Sequence, residues 1–342
     1  MQRNVIVGAG SWGTALAVLL GSKNTQVTLF ARNSVKASYM QEFRENKTYL
    51  PGVKIPPAVH VTSDWHDIKD ADIYILAVPS HMVMETARLI KASNSAGKSI
   101  LLINAAKGFD ERTGHLISVE MRNLLESGDA FAVLSGPSHA EEVGRLMPTA
   151  VVAASSERAV AQKVQELFMA DSFRVYTNDD IAGVEIAGAT KNIIAIAAGI
   201  NEGLGFGDNS SAALVTRGLH EITRLGLAMG AKQETFSGLA GLGDLMVTCN
   251  SMHSRNRRCG IALGKNKNLN EILDELGMVV EGIKATSVTK KLSEYYQIDM
   301  PIVDEVFQII FEHKDPKETV LDLMLRERKG EAISEEEQYG DY

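Results

Sequence analysis

Lys191 lies in the middle of Ile186-Ala-Gly-Ala-Thr-Lys-Asn-Ile-Ile-Ala-Ile-Ala-Ala-Gly-Ile200, a segment apolar around its whole circumference. Such a segment reads as a buried helix. Lysine is rarely buried without a partner, because an unpaired ammonium inside a protein is costly. An amine forced inside is a candidate acid, base or anion ligand; the competing reading is a lysine that snorkels to the helix surface. Further on, Gly238-Leu-Ala-Gly241-Leu-Gly243-Asp244 leads into a short helix whose Asp244 and Thr248, one turn apart, share a face and could reach one ligand. Next comes Ser254-Arg255-Asn256-Arg257-Arg258, the densest cationic cluster of the chain. It is either a solvated surface run or a phosphate site built on charge-assisted hydrogen bonds.

A second kind of chemistry is written near the N-terminus. Gly8-Ala-Gly10-Ser11-Trp12-Gly13 follows an apolar run and opens a helical one. In a strand-turn-helix setting Gly8 permits the tight turn, Gly10 lets the backbone approach a pyrophosphate, and Gly13 allows close helix-to-strand packing. The amides near Ser11 and Trp12 then face the anion. The next strand ends in Ala31-Arg32-Asn33, where an NAD-specific site usually carries an acidic residue. Arg32 there suits the 2′-phosphate of NADP, unless it is an ordinary surface arginine. NADPH is therefore expected, with NADH possible.

Two strand ends add polar groups where open α/β sheets bind ligands. Asn104-Ala-Ala-Lys107-Gly108 places a lysine beside a permissive glycine. Ser135-Gly136-Pro-Ser138-His-Ala140-Glu141 has the S-x-x-E spacing of a capping box. That spacing explains Ser138 structurally, although a helix start beside a cofactor would also suit a phosphate or carbonyl oxygen.

The elements that must hold these residues follow from hydrophobic pattern. Apolar runs at Val5–Val7, Gln26–Phe30, Ile73–Val78, Ile100–Asn104, Phe131–Ser135 and Ala150–Ala154 alternate with helical stretches at Ser11–Leu20, His81–Lys91, Gly114–Glu126 and Glu157–Phe168. Continuous apolar strands between helices predict a parallel sheet covered on both faces. Beyond Tyr176–Asp180 only helical periodicity remains. The expected fold is α/β: a doubly wound Rossmann domain over residues 1–178, an all-helical substrate and catalytic domain over 179–330, and an acidic frayed tail over 331–342.

Composition narrows the function classes. The 342 residues carry 35 Lys and Arg against 43 Asp and Glu, a net charge of −8, which argues against a nucleic-acid partner. Hydrophobic residues at 45% and charged residues at 23% mark an ordinary globular chain. Cys249 and Cys259 form neither a CxxC nor a zinc spacing, so no metal and a reducing compartment are expected. No apolar run is seen to approach the length of a membrane span, and no signal-peptide core follows the N-terminus, so a cytoplasmic location is expected.

Taken in order, Gly8-Ala-Gly-Ser-Trp-Gly13, Ala105-Ala-Lys107-Gly108, Gly136-Pro-Ser-His-Ala-Glu-Glu142, Ala189-Thr-Lys191-Asn192, Gly241-Leu-Gly-Asp244, Ser254-Arg-Asn-Arg257 and Val279-Val-Glu281-Gly282 resemble the bacterial type of NAD(P)-dependent glycerol-3-phosphate dehydrogenase, across nearly the whole chain. The resemblance implies hydride transfer between NAD(P)H and dihydroxyacetone phosphate to give sn-glycerol 3-phosphate, a supply for glycerophospholipid synthesis. It makes Lys191 the proton donor and acceptor, with Lys107 at both cofactor and substrate and Asp244 beside them. Gly136, Ser138, Asp244, Ser254, Arg255 and Asn256 would line the substrate. Ser11, Trp12, Arg32, Asn33, Tyr49, Lys107, Ala140, Arg255, Val279 and Glu281 would touch the cofactor. Ala106 departs from the threonine common in relatives and removes one hydrogen bond. The family also implies a homodimer acting on a small phosphorylated substrate. The nearest rival is a related two-domain β-hydroxyacid or phosphogluconate-type dehydrogenase; a non-catalytic NADPH sensor is the rival from outside enzymes.

Overall fold

The computed structural model describes residues 2–327 apart from Ala96 and Met278. The acidic tail expected over 331–342 lies outside the described residues.

Strands β1 (Asn4–Val7), β2 (Val27–Phe30), β3 (Glu45–Asn46), β4 (Leu50–Lys54), β5 (Val59–Thr62), β6 (Ile73–Leu76), β7 (Leu101–Asn104), β8 (Ala130–Ser135), β9 (Thr149–Ala154) and β10 (Phe173–Asn178) belong to the first half. All but the β3–β4 hairpin form one sheet in the order β10-β9-β8-β7-β6-β1-β2-β5. Its helices are α1 (Ser11–Ser22), α2 (Ser34–Phe43), α3 (Val83–Ser93), α4 (Ile117–Leu124), α5 (Ala140–Val143) and α6 (Arg158–Phe168). Alternate residues of single strands feed different cores. Ile6, Ile75 and Ile103 pack with Leu16 and Leu20 of α1, whereas Val5, Val7, Tyr74 and Leu76 pack with Ile90 of α3 and Met121 of α4. That two-sided burial is why the strands read as unbroken apolar runs.

The sheet is parallel from β5 through β8, but β9 runs antiparallel to β8. The connection over 136–148 holds only the four-residue α5. A parallel return needs a crossover of a dozen or more residues, usually carrying a full helix. The chain therefore turns straight back, and β10 then joins β9 in parallel through α6. Strands β5 and β10 and the β3–β4 hairpin escape the sequence reading, because exposed polar residues interrupt their apolar runs.

The second half consists of α7 (Ile181–Gly203), α8 (Asp208–Ala228), α9 (Gln233–Ser237), α10 (Asp244–Asn250), α11 (Arg255–Gly264), α12 (Leu269–Leu276), α13 (Glu281–Tyr295), α14 (Pro301–Phe311) and α15 (Pro316–Met324). Helix α7 is its hub, packed against α8, α10, α11 and α13. The expectation that no apolar run reaches membrane-span length needs correction here. The 23 residues of α7 are long and apolar enough by length and composition, yet 89% of the apolar window is buried inside the protein. Small residues and a few polar ones break the run in the sequence without lowering its mean hydropathy below that of a span.

Two glycine pairs set how α11 meets α7. A Cβ on Gly199 would lie 2.1 Å from the Arg257 carbonyl oxygen, and one on Gly260 would lie 2.0 Å from that of Ile196. Gly203 and Gly264 repeat the contact one turn on, at 2.4 Å and 2.5 Å from the oxygens of Ile261 and Ile200. Only bare backbone fits, so the two helices touch main chain to main chain. This crossing fixes the start of α11, with Arg255 and Asn256, against the middle of α7.

Candidate active site

Lys191 is 6% exposed and Asp244 is 1% exposed. Lys191 Nζ is bonded to Asp244 Oδ1 and donates to Thr248 Oγ1 at 2.7 Å. Helix α10 thus presents both residues on one face, as their spacing predicts, but to the lysine rather than to a separate ligand. From the sheet side, Lys107 Nζ donates to Asp244 Oδ2 at 2.7 Å and to the Gly136 carbonyl at 2.9 Å. One carboxylate is therefore shared by two ammonium groups, leaving an excess positive charge in a buried place. Such a place suits an anion or a developing oxyanion.

The electrostatics follow from this sharing. Burial pulls the Lys191 ammonium down from the ordinary lysine value, to about 7; Asp244 opposes the shift and the Lys107 charge adds to it. Burial alone would push the Asp244 carboxyl up, but Lys107 and Lys191 outweigh it and hold the carboxyl below the usual range. An amine poised near neutrality beside a fixed carboxylate can both give and take a proton.

The strand ends carry the rest. Asn104 Oδ1 accepts from the Ala106 amide at 3.0 Å, shaping the turn that delivers Lys107. Gly136 takes φ +128°, a conformation open to glycine, and its carbonyl is also bonded by Ser138 Oγ at 2.8 Å. The capping box read from Ser138 and Glu141 is corrected by this contact. Helix α5 starts at Ala140 with His139 at its cap, and neither residue's side chain caps it. Ser138 sits one position too early, and its hydroxyl is taken by the Gly136 carbonyl.

Ser254 caps α11, its Oγ accepting from the Arg257 amide at 3.2 Å. Asn256 donates to Asn192 Oδ1 at 2.8 Å and accepts from the Gly282 amide at 2.9 Å, joining α11, α7 and α13. Burial pulls the Arg255 guanidinium down, and Glu281 and Glu141 oppose it. Arg257 pairs with Glu202 instead, so the cationic run is divided between a surface pair and the site.

The glycine turn fits a dinucleotide phosphate. Gly8 takes φ +114°, where a Cβ would strike the Ala77 oxygen at 2.5 Å, and a Cβ on Gly13 would lie 1.8 Å from the Gly8 oxygen. A Cβ on Gly10, by contrast, would meet nothing within 4 Å. The first turn of α1, from Ser11, has no side-chain cap and no acidic residue, so its amides and dipole are free for an anion. Trp12 Nε1 donates to the Ala105 carbonyl at 3.1 Å, tying this turn to the loop that bears Lys107.

Arg32 is exposed at the end of β2. Asn33 caps α2, its Oδ1 accepting from the Lys36 amide at 2.9 Å, and Lys36 in turn stands over the Tyr49 ring. Ala140 is buried at the start of α5, while Val279 is exposed ahead of α13. Three residues at the site carry no role in the sequence reading. Asn192 could have been found by the signal that marks Lys191, a polar residue inside an apolar helix. Ser80, which bonds Glu281, is joined to it only by folding. Burial, with the Lys191 charge, pulls the His139 imidazole below its ordinary value, and a hydrogen bond to the Val247 backbone opposes the shift. Among the described residues no cluster of His, Cys, Asp or Glu could hold a metal. A depression lined by Gln2, Asp72 and Lys163 lies at the amino ends of the strands, away from all these groups.

The chain matches two family models. One, described as the N-terminus of NAD-dependent glycerol-3-phosphate dehydrogenase, covers residues 4–161, and its C-terminal counterpart covers 180–321. A Desulfitobacterium hafniense protein named glycerol-3-phosphate dehydrogenase (NAD(P)+) is 50% identical over 97% of this chain and 93% of its own length. A Moorella thermoacetica protein of the same name is 51% identical over 96% and 97%. The crystal structure of glycerol-3-phosphate dehydrogenase from Coxiella burnetii superposes with a TM-score of 0.88 at 38% identity, covering 95% of this chain and 99% of that one. A D-mandelate dehydrogenase structure, at a TM-score of 0.60 and 11% identity, shares the fold alone.

Proposed function

Because the chain belongs to the NAD-dependent glycerol-3-phosphate dehydrogenase family, we propose that the cluster of Lys191, Asp244, Thr248 and Lys107 is the catalytic centre of an NAD(P)-dependent oxidoreductase interconverting dihydroxyacetone phosphate and sn-glycerol 3-phosphate. The buried amine of Lys191, paired with a carboxylate that also holds Lys107, is the observation that carries this reading.

When bound, the nicotinamide supplies or accepts the hydride at the ketone carbon. The Lys191 ammonium gives its proton to the ketone oxygen as negative charge develops there, and in the reverse direction the neutral amine takes the hydroxyl proton. General acid catalysis contributes roughly 10²–10⁴-fold. Asp244 and Thr248 fix the amine, and Lys107 adds a second positive field. Arg255 and Asn256, with Ser254, Gly136 and Ser138, hold the substrate, so that binding at its phosphate orients the reacting carbonyl.

The cofactor site comprises Gly8, Gly10, Ser11, Trp12 and Gly13 at the pyrophosphate, Arg32, Asn33 and Tyr49 toward the adenosine end, and Lys107, Ala140, Arg255, Val279 and Glu281 toward the substrate. Homodimeric assembly, a cytoplasmic location and a supply for glycerophospholipid synthesis are added from the family resemblance. The deciding experiment follows NADPH absorbance. Consumption is expected with dihydroxyacetone phosphate and none with 3-oxo acids; the opposite preference would favour the β-hydroxyacid reading.

A further inference from the structure

The carboxyl ends of β6 and β7 are joined to the first turn of α13 by polar contacts that take no part in proton transfer. Ser80, just past β6, donates its hydroxyl to Glu281 Oε2 at 2.6 Å and its amide to Oε1 at 3.3 Å. One turn along α13, Lys284 Nζ lies 2.6 Å from Glu111 Oε1 and 3.1 Å from His81 Nδ1. Glu111 belongs to the loop that follows β7 and bears Lys107. Gly108 leaves room for the contact, since a Cβ there would lie 2.5 Å from the Ser80 Cβ.

These residues sit on the path that a dinucleotide must follow. The glycine turn leaves β1, Lys107 leaves β7, and β6 lies between them in the sheet. The Ala77 oxygen, three residues before Ser80, backs Gly8 directly. A cofactor reaching from the glycine turn to Lys191 therefore passes the segment that Ser80 ties to α13.

Strength separates this contact from the permanent attachment of the two halves. Buried Glu185 of α7 accepts from the Ser118 amide at 3.1 Å and from its hydroxyl, anchoring α4 in the interior. Lys284 and Glu111 have side chains 35% and 33% exposed. An ion pair that open to solvent changes an equilibrium by a factor of only about 1.4–5. It can open on every turnover.

We propose that Lys284 and Glu111 are positioning residues, forming with Ser80 a clasp that holds Glu281 and the first turn of α13 across the cofactor cleft and sets the rate at which the cofactor leaves. The proposal rests on the reading of that cleft as the NADPH site.

The test measures NADPH release from the holoenzyme by stopped-flow fluorescence for wild type, Glu111→Gln, Lys284→Met and the double variant. Each single variant is expected to release NADPH about threefold faster at low ionic strength. The double should be no faster than Lys284→Met alone, because both single variants remove the Lys284–Glu111 pair. Rising salt should bring wild type toward the variants, while the KM for dihydroxyacetone phosphate stays unchanged. Release rates equal to wild type in the single variants, or effects that multiply in the double, would overturn the clasp alone. A wild-type protein that binds no NADPH would overturn the site reading and the clasp together.

Discussion

At the scale of single residues, the site turns on how one carboxylate is divided. Asp244 faces Lys191 with one oxygen and Lys107 with the other, so neither ammonium is fully neutralised. Burial does the rest by bringing Lys191 to about 7. The sign of the resulting pH dependence is fixed. Oxidation of glycerol 3-phosphate needs the neutral amine, so its rate should rise as pH passes upward through about 7. Reduction of dihydroxyacetone phosphate needs the ammonium and should fall over the same interval. Rates in both directions from pH 6 to 9, with chemistry limiting, check this; two flat profiles would remove Lys191 from proton transfer. Lys191 itself was legible in the sequence because a charged residue in an all-apolar helix breaks a strong pattern. Its partners were only half legible. The spacing of Asp244 and Thr248 placed them on one face, but nothing in the chain order says that this face meets α7. Ser138 misled because the capping spacing is local, whereas the Gly136 carbonyl that takes its hydroxyl depends on a backbone turn at positive φ.

At the scale of elements, the α7–α11 crossing brings Arg255 and Asn256 to the helix that carries Lys191. Four glycines permit backbone contact there, and the start of α11 is set by that contact. Gly260→Ala would place a methyl 2.0 Å from the Ile196 oxygen. Overpacking of this kind typically costs about 1–3 kcal/mol. The helices must also separate, moving Arg255 and Asn256. We expect a lower melting temperature together with a KM for dihydroxyacetone phosphate raised at least tenfold. Steady-state kinetics beside calorimetry check this, and a normal KM would show that the crossing does not position the phosphate site. The main helices and the parallel strands were readable from periodicity, since two-sided burial writes long apolar runs. The reversal at β9 was not, because a strand's direction depends on the connection's length and not on the strand's own residues.

At the scale of the whole molecule, the glycine turn lies in the sheet half and Lys191 in the helical half, so the proposed reaction needs both. On the proposed reading, cofactor choice belongs to the sheet half. Arg32 stands exposed at the end of β2, open to a 2′-phosphate. Arg32→Asp should raise the KM for NADPH at least tenfold and leave that for NADH nearly unchanged, the loss of a charge-assisted pair being about 1.5–3 kcal/mol. Michaelis constants for both cofactors decide it; an unchanged ratio would make Arg32 a surface residue. The division of labour between halves is tested most directly by Lys191→Ala, assayed for NADPH binding and for dihydroxyacetone phosphate reduction in the same preparation. The account predicts cofactor affinity close to wild type with turnover lower by roughly 10²–10⁴-fold. Turnover within tenfold of wild type, with the cofactor bound, would contradict it.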